Sequence, residues 1–196
     1  MKSMEFWFEF ASTYSYPAAM RVEAAAGKAG VPVIWKPFLL GPIFQAQGYE
    51  SSPFFAFPVK GQYMWRDLER LCAKYHLDWK QPSSFPRTSI LASRIGCSHV
   101  DATWLPAFVR AVYHANFAED RDIADDATIH ACLRALDLDA DAIIAHATSA
   151  AEKSKLREQG AQALSRGLFG APNFIVDGEL FWGNDRLEDA LDWARR

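Results

Sequence analysis

Glu5-Phe6-Trp7-Phe8-Glu9-Phe10-Ala11-Ser12-Thr13-Tyr14-Ser15-Tyr16 is the stretch on which the fold turns. Its first half is a short aromatic run suited to a strand buried on at least one face. Its second half changes to small polar residues and leads into an Ala-rich segment ending at Gly30. Ser12 is a good N-cap type, Pro17 is tolerated in a first helical turn, and Gly30 is a natural stop. Val33 to Phe38 then reads as a second strand. Strand, helix and strand within this length favour a parallel βαβ unit.

The other end of the chain carries the complement. Asn173-Phe174-Ile175-Val176 and Glu179-Leu180-Phe181-Trp182 flank Asp177-Gly178. Asp-Gly between apolar runs is a strong signal for a two-residue hairpin. Asn184-Asp185-Arg186-Leu187-Glu188 opens a last helix, with Asp185 and Glu188 spaced as a capping box. Leu187, Ala190, Leu191 and Ala194 give it an apolar face.

Between these ends, residues 39–59 contain Gly41, Pro42, Gly48, Ser51, Ser52, Pro53 and Pro58 and are expected to form a long loop, a length often tied to function. From Lys60 to about Arg166 the signal is helical, with helices expected near 86–97, 101–117, 125–135, 139–150 and 151–166. The order βαβ, helical block, ββα is that of a thioredoxin-like α/β sheet domain with a large all-helical insertion. Residues 1–58 plus 167–196 are expected to form the sheet domain and 59–166 the insertion.

Composition agrees with one domain carrying an insertion. The chain has 196 residues, 50% hydrophobic, 14% aromatic and 23% charged, which excludes disorder. Twenty-one basic against 24 acidic residues give a net charge of −3, a poor balance for a nucleic-acid partner. Three well-separated cysteines, Cys72, Cys97 and Cys132, do not read as a disulfide framework and suit a reducing compartment. No stretch resembles a membrane span of ~18 apolar residues, and Glu5 and Glu9 interrupt the only N-terminal apolar run. A cytoplasmic protein without membrane contact is expected. Cys72 and His76 are one helical turn apart, but two ligands do not make a metal site, and no metal is expected. Arg66, Arg70 and Lys74, with Asp67 and Glu69 between them, read as a solvated helix face.

Three places could carry chemistry. In a βαβ unit ligands gather at the carboxyl ends of the strands, where Ser12-Thr13-Tyr14-Ser15 meets a helix N-terminus. A redox thioredoxin fold holds Cys-x-x-Cys here; Ser12 and Ser15 cannot cycle a disulfide. The helix start still favours an anion, and a serine hydroxyl beside it can donate to a thiolate. Read locally, Ser12 is equally well a simple cap. The second place is Gly170-Ala171-Pro172-Asn173. A cis peptide there would present the Ala171 backbone to an extended ligand, whereas the ~5% frequency of cis X–Pro bonds favours an ordinary trans turn. The third is Asn184-Asp185, where Asp185 is either a partner for a ligand amine or a helix cap.

The chain resembles the 2-hydroxychromene-2-carboxylate isomerases and the related kappa-class glutathione transferases nearly from end to end. The resemblance is carried by Phe8–Tyr16, by Lys60-Gly61-Gln62-Tyr63-Met64-Trp65-Arg66-Asp67-Leu68, by Phe169-Gly170-Ala171-Pro172, and by Asp177–Leu187. It implies a DsbA-like thioredoxin fold, a homodimer, glutathione as cofactor and a small aromatic substrate. By position, Ser12 would hydrogen-bond the glutathione sulfur, and Ala171, before a cis Pro172, would pair with the cysteinyl part. Asn184 and Asp185 would hold the γ-glutamyl end. Lys60 would border the cofactor, and Tyr14 and Tyr63 the substrate. The chain departs from many relatives at Gly48-Tyr49-Glu50, where Glu50 replaces an Asn. An acid there would repel a glutathione carboxylate and could pair only with an amide N–H.

The implied activity is interconversion of 2-hydroxychromene-2-carboxylate and trans-o-hydroxybenzylidenepyruvate through reversible thiolate addition. The alternative is a kappa-like transferase or peroxidase that consumes glutathione on an electrophile. A disulfide oxidoreductase and a non-catalytic binding module are the readings of other classes.

Overall fold

A computed structural model describes residues 2–50 and 52–196. The chain runs β1 (Met4–Phe8), α1 (Ser15–Ala29), β2 (Val33–Pro37), α2 (Leu40–Ala46), α3 (Pro53–Ala56) and α4 (Pro58–Tyr75). It continues with α5 (Ile90–Ser98), α6 (Leu105–Phe117), α7 (Asp126–Arg134), α8 (Ala140–Ala147) and α9 (Lys153–Ser165). The last part is β3 (Asn173–Val176), β4 (Glu179–Trp182), a 3-10 turn (Asn184–Arg186) and α10 (Leu187–Ala194).

The four strands form one sheet in the order β2-β1-β3-β4. β1 and β2 are parallel, with Phe6 opposite Trp35. β3 is antiparallel to β1 and to β4. This is the βαβ and ββα arrangement expected from the two ends of the sequence. Asp177 and Gly178 close the β3–β4 hairpin with φ of 53° and 84°. Both central residues of such a turn need positive φ, which Asp tolerates and Gly adopts freely.

Strand periodicity decides what each face of the sheet covers. Phe6 and Phe8 point to one side, where α1, α10 and the helical block supply Tyr16, Val22, Leu187, Phe108 and Tyr113. Trp7 points to the other, with Phe38, Ile43 of α2, Ala163 of α9 and Ile175. Each such fully buried aromatic contributes about 1.5–3 kcal/mol relative to exposure. One contiguous core runs from β1 into α6, so sheet and helical block share their packing.

Two sequence expectations change. Residues 39–59 are not a plain loop. They hold α2 and α3, short helices that start at or near prolines, with Ser52 accepting from the Phe54 amide (Ser51 lies outside the described residues). Their proline and glycine content masked a helical pattern of only seven and four residues. Asp185 does not cap the last helix: it lies inside the 3-10 turn, and α10 starts at Leu187 with no side-chain cap. Glu188, the other half of the expected box, is paired with Arg21 on α1. The buried face of α10 is Leu187, Ala190, Leu191 and Ala194, as its spacing indicates. Among the described residues no helix is long and apolar enough to cross a membrane.

Candidate functional site

A cavity of about 1080 Å³ opens at the carboxyl ends of β1 and β2. Its floor is Glu9 and the Ala11–Tyr14 turn; α2, α3 and the start of α4 form one wall; Phe169–Ala171 and Trp182–Arg186 form another. Small-molecule pockets span about 300–1,000 Å³, so this one is at the upper end of that range.

Ser12 stands where β1 hands over to α1. Its backbone N–H donates to the Glu9 carbonyl (2.9 Å), which folds the turn back. Its Oγ accepts the Ser15 N–H at 3.3 Å, one of the free amides that begin α1. The same hydroxyl donates to the Ala171 carbonyl at 3.4 Å, across 159 residues of chain. Two of the expected site residues are thus in contact. Both bonds are long, so an anion that took the hydroxyl proton would displace only a weak partner. Ser12 is not the N-cap its residue type suggests, because α1 begins at Ser15 with Tyr14 in the cap position and no side-chain cap; its hydroxyl instead holds the first helical amide and lines the cavity. The Ala171–Pro172 peptide is cis. Ala171 lines the cavity, while Pro172 is buried behind it and outside the lining.

Glu50, Lys60, Tyr63, Asn184 and Asp185 also line the cavity. Lys60 is exposed and its Nζ lies 5.9 Å from the Phe54 ring centroid. Tyr63 is exposed at the mouth. Asn184 is buried and its Oδ1 accepts from Arg21 Nη1 at 2.9 Å. Asp185 is exposed and lies 3.4 Å from Arg186. Tyr14 is half-buried and donates to Asp67 Oδ2 at 3.0 Å. Burial, and then the Asp67 charge, push the Tyr14 phenol far above its ordinary range, so it stays protonated.

Several residues on this wall were not foreseen. Asp67 belongs to the face read as solvated; Arg66, Arg70 and Lys74 are indeed exposed, but Asp67 turns inward to Tyr14. Glu9 is buried on the cavity floor with no cation beside it; its carboxylate accepts from Ser89 Oγ and from the Ala11 amide. Burial outweighs those two bonds and pushes the carboxyl up to about 7. The available signal was an acid set directly between Phe8 and Phe10. Arg87 also lines the cavity, yet its guanidinium is committed to Ser84, Asn116, Asp120 (2.5 Å) and the Arg121 carbonyl (2.9 Å). It ties the loop before α5 to the end of α6 and leaves no donor for a ligand. Phe169 and Trp182 pair across the rim with ring centroids 4.8 Å apart. Gly170 makes this possible: a Cβ there would fall 2.7 Å from the Trp182 indole nitrogen.

No cysteine lines the cavity. Cys72, Cys97 and Cys132 are free and buried elsewhere, and burial pushes their thiols up to about 12, 12 and 11. Among the described residues no three or more His, Cys, Asp or Glu side chains are grouped to hold a metal ion. What the site offers is a helix N-terminus, a serine hydroxyl, a cis-proline backbone edge and aromatic walls, without a thiol.

The family profile of the DSBA-like thioredoxin domain matches residues 3–192. A 2-hydroxychromene-2-carboxylate isomerase from Sphingobium xenophagum is 34% identical over 187 residues, covering 95% of both chains. Glutathione S-transferase kappa 2 from Caenorhabditis elegans is 25% identical over 206 residues, covering 98% of this chain and 91% of that one. A solved 2-hydroxychromene-2-carboxylate isomerase superposes with a TM-score of 0.85 at 27% identity, covering 97% of this chain and 94% of that one. On sequence and on fold, the chain belongs to the DsbA-like thioredoxin family and, within it, to the group of the 2-hydroxychromene-2-carboxylate isomerases.

Proposed function

We propose that the protein is a glutathione-dependent cis–trans isomerase that interconverts 2-hydroxychromene-2-carboxylate and trans-o-hydroxybenzylidenepyruvate. The observation that carries this reading is the Ser12 hydroxyl just before α1, on the floor of a cavity that contains no thiol of its own. A site prepared for a thiolate and lacking a cysteine needs its sulfur from a ligand. The kinship to isomerases and to a kappa glutathione transferase supports glutathione as that ligand.

The energetics are adequate. Lowering a thiol from its ordinary ~8.5 by two units requires ~2.7 kcal/mol of preference for the anion. A partly buried helix N-terminus contributes up to ~2 kcal/mol, and a hydrogen bond to a charged group ~1.5–3 kcal/mol. Ser12 with the head of α1 is therefore sufficient without a basic residue.

Ala171 offers its backbone to the cysteinyl segment, and Asn184 with Asp185 receives the γ-glutamyl end. Pro172 acts only by setting the Ala171 peptide. Lys60 is the cation for a carboxylate, of cofactor or substrate, because Arg87 is committed and Arg186 is paired with Asp185 and Asp189. Glu50, exposed at the rim, accepts from a glutathione amide. Phe54 and Tyr63 from one wall and Phe169 and Trp182 from the other form the aryl surfaces, with Tyr14 kept protonated by burial and then by Asp67. When bound, glutathione would supply a thiolate that adds reversibly to the carbon β to the ketone of the ring-opened cis enone, which forms as the hemiketal C–O bond breaks and its hydroxyl proton passes to the phenol oxygen; the bond left single would rotate, and elimination would return the thiolate with the trans alkene.

The test is turnover of 2-hydroxychromene-2-carboxylate with and without glutathione, with free thiol counted afterwards. The reading requires activity that depends on glutathione and leaves all of it unchanged. Turnover without any thiol refutes it. Stoichiometric loss of glutathione supports instead the transferase reading favoured by the kappa-class relative.

A further inference from the structure

Arg21 lies on α1, outside the cavity, yet it is held from three directions. Its Nη1 donates to Asn184 Oδ1 at 2.9 Å. Its Nη2 is paired with the Glu188 carboxylate at the start of α10. Its guanidinium lies over the Tyr75 ring, 3.9 Å from the centroid, at the end of α4. The side chain is 16% exposed, so these contacts fix it.

A guanidinium has donors only, so it can face only the oxygen of an Asn side chain. That settles the orientation of the Asn184 amide without any further assumption. With Oδ1 turned to Arg21, the NH2 half is left for the cavity that Asn184 lines. Asp185, the next residue, presents an exposed carboxylate on the same wall. A fixed amide donor beside a carboxylate acceptor is complementary to a carboxylate beside an ammonium group, the zwitterionic head of an α-amino acid. If the amide were turned over, its oxygen would face the ligand carboxylate and repel it.

We infer that Arg21 is a positioning residue: it locks the Asn184 side chain in the one orientation that lets the Asn184–Asp185 pair receive a zwitterionic amino-acid head. This deepens the glutathione reading and rests on it for the identity of the ligand. Arg21 touches neither the sulfur nor the aromatic substrate, so its effect is confined to one end of the cofactor.

The test compares wild type, Arg21→Met, Arg21→Lys, Asn184→Ala and the double variant Arg21→Met/Asn184→Ala. Each is titrated calorimetrically with glutathione and with cysteinylglycine, which lacks the γ-glutamyl head. Loss of one hydrogen bond to a charged group predicts about tenfold weaker glutathione binding in Arg21→Met, about twofold or less for cysteinylglycine, and a double variant no weaker than Asn184→Ala alone. KM for glutathione should rise several times more than kcat falls. Arg21→Lys, which keeps the charge beside Glu188 but not the planar fork, should show a smaller loss of the same selectivity. Equal weakening of both thiols, or effects that multiply in the double variant, would overturn the inference. So would an Arg21→Lys variant equal to wild type. Failure of wild type to take up glutathione would sink the glutathione reading instead. The Arg21 claim is then decided without ligand by the Asn184 side-chain NH2 signals in 15N NMR. They should be dispersed and narrow in wild type and averaged in Arg21→Met; unchanged signals refute the lock.

Discussion

Glu9→Gln is a substitution whose sign is opposite to the usual cost of altering a buried polar residue. Glu9 is buried on the cavity floor, has no cation beside it, and is pushed by burial from its ordinary 4.5 up to about 7. In the unfolded chain it ionises near 4.5, so between these values the folded state holds a proton that the unfolded state has lost. Folding stability contributed by the neutral acid is complete below about 4.5 and is lost as pH rises through about 7. Above that pH the loss is about 3 kcal/mol, from ~1.4 kcal/mol for each unit of the rise. Glutamine keeps the shape and cannot ionise. Its amide can accept from the Ala11 N–H and donate to Ser89 Oγ, which then donates to Ser93 Oγ, 3.4 Å away. The wild type and Glu9→Gln should therefore melt together near pH 4.5 and diverge at pH 8, with the variant higher by about 6–12 °C for a chain of this length. Differential scanning calorimetry at both pH values, read as a difference, removes every titration the two proteins share. A variant that melts lower at pH 8, or by the same margin at both values, would refute the argument that Glu9 is an uncompensated buried acid.

Further outcomes follow from the site. Ser12→Ala should lower kcat/KM by about 10–100-fold, the worth of a hydrogen bond to a thiolate, measured in the glutathione-supported reaction. Asp185→Asn should weaken glutathione about tenfold by calorimetry, with a smaller effect in high salt because the group is exposed. Gly170→Ala places a methyl 2.7 Å from the Trp182 indole nitrogen. Since Trp182 is an exposed, rotatable side chain, the stability cost should stay below about 2 kcal/mol while the near-UV circular dichroism of the Phe169–Trp182 pair changes and KM for the aromatic substrate rises.

The parts of the fold legible in the sequence are those fixed by local periodicity and turn chemistry. β1, β2, the Asp177-Gly178 hairpin and the buried stripe of α10 all follow from residues within a few positions of one another. Ser12, Ala171 and Asn184 were legible as candidates because each sits at an element boundary. That Ser12 and Ala171 touch is set by the pairing of β1 with β3 and has no local trace. The same holds for the expected capping box: Asp185 pairs with Arg186, and Glu188 is taken by Arg21, 167 residues away. Asp67 looked solvated because its neighbours Arg66 and Arg70 are; its partner Tyr14 lies 53 residues away. Glu9 shows the reverse difficulty. Its charge in an aromatic run was plain, but that it would be enclosed without a cation depends on how α5 and α6 close over the floor.

The central claim is that the head of α1 and Ser12 hold a bound thiol as its anion. The direct measurement is the ultraviolet thiolate absorbance of protein-bound glutathione, titrated from pH 5 to 9 in wild type and Ser12→Ala. The account predicts that the bound thiol titrates about two units below the ~8.5 of an ordinary thiol, and that Ser12→Ala returns most of that difference. Bound glutathione that titrates as it does free in solution would contradict it.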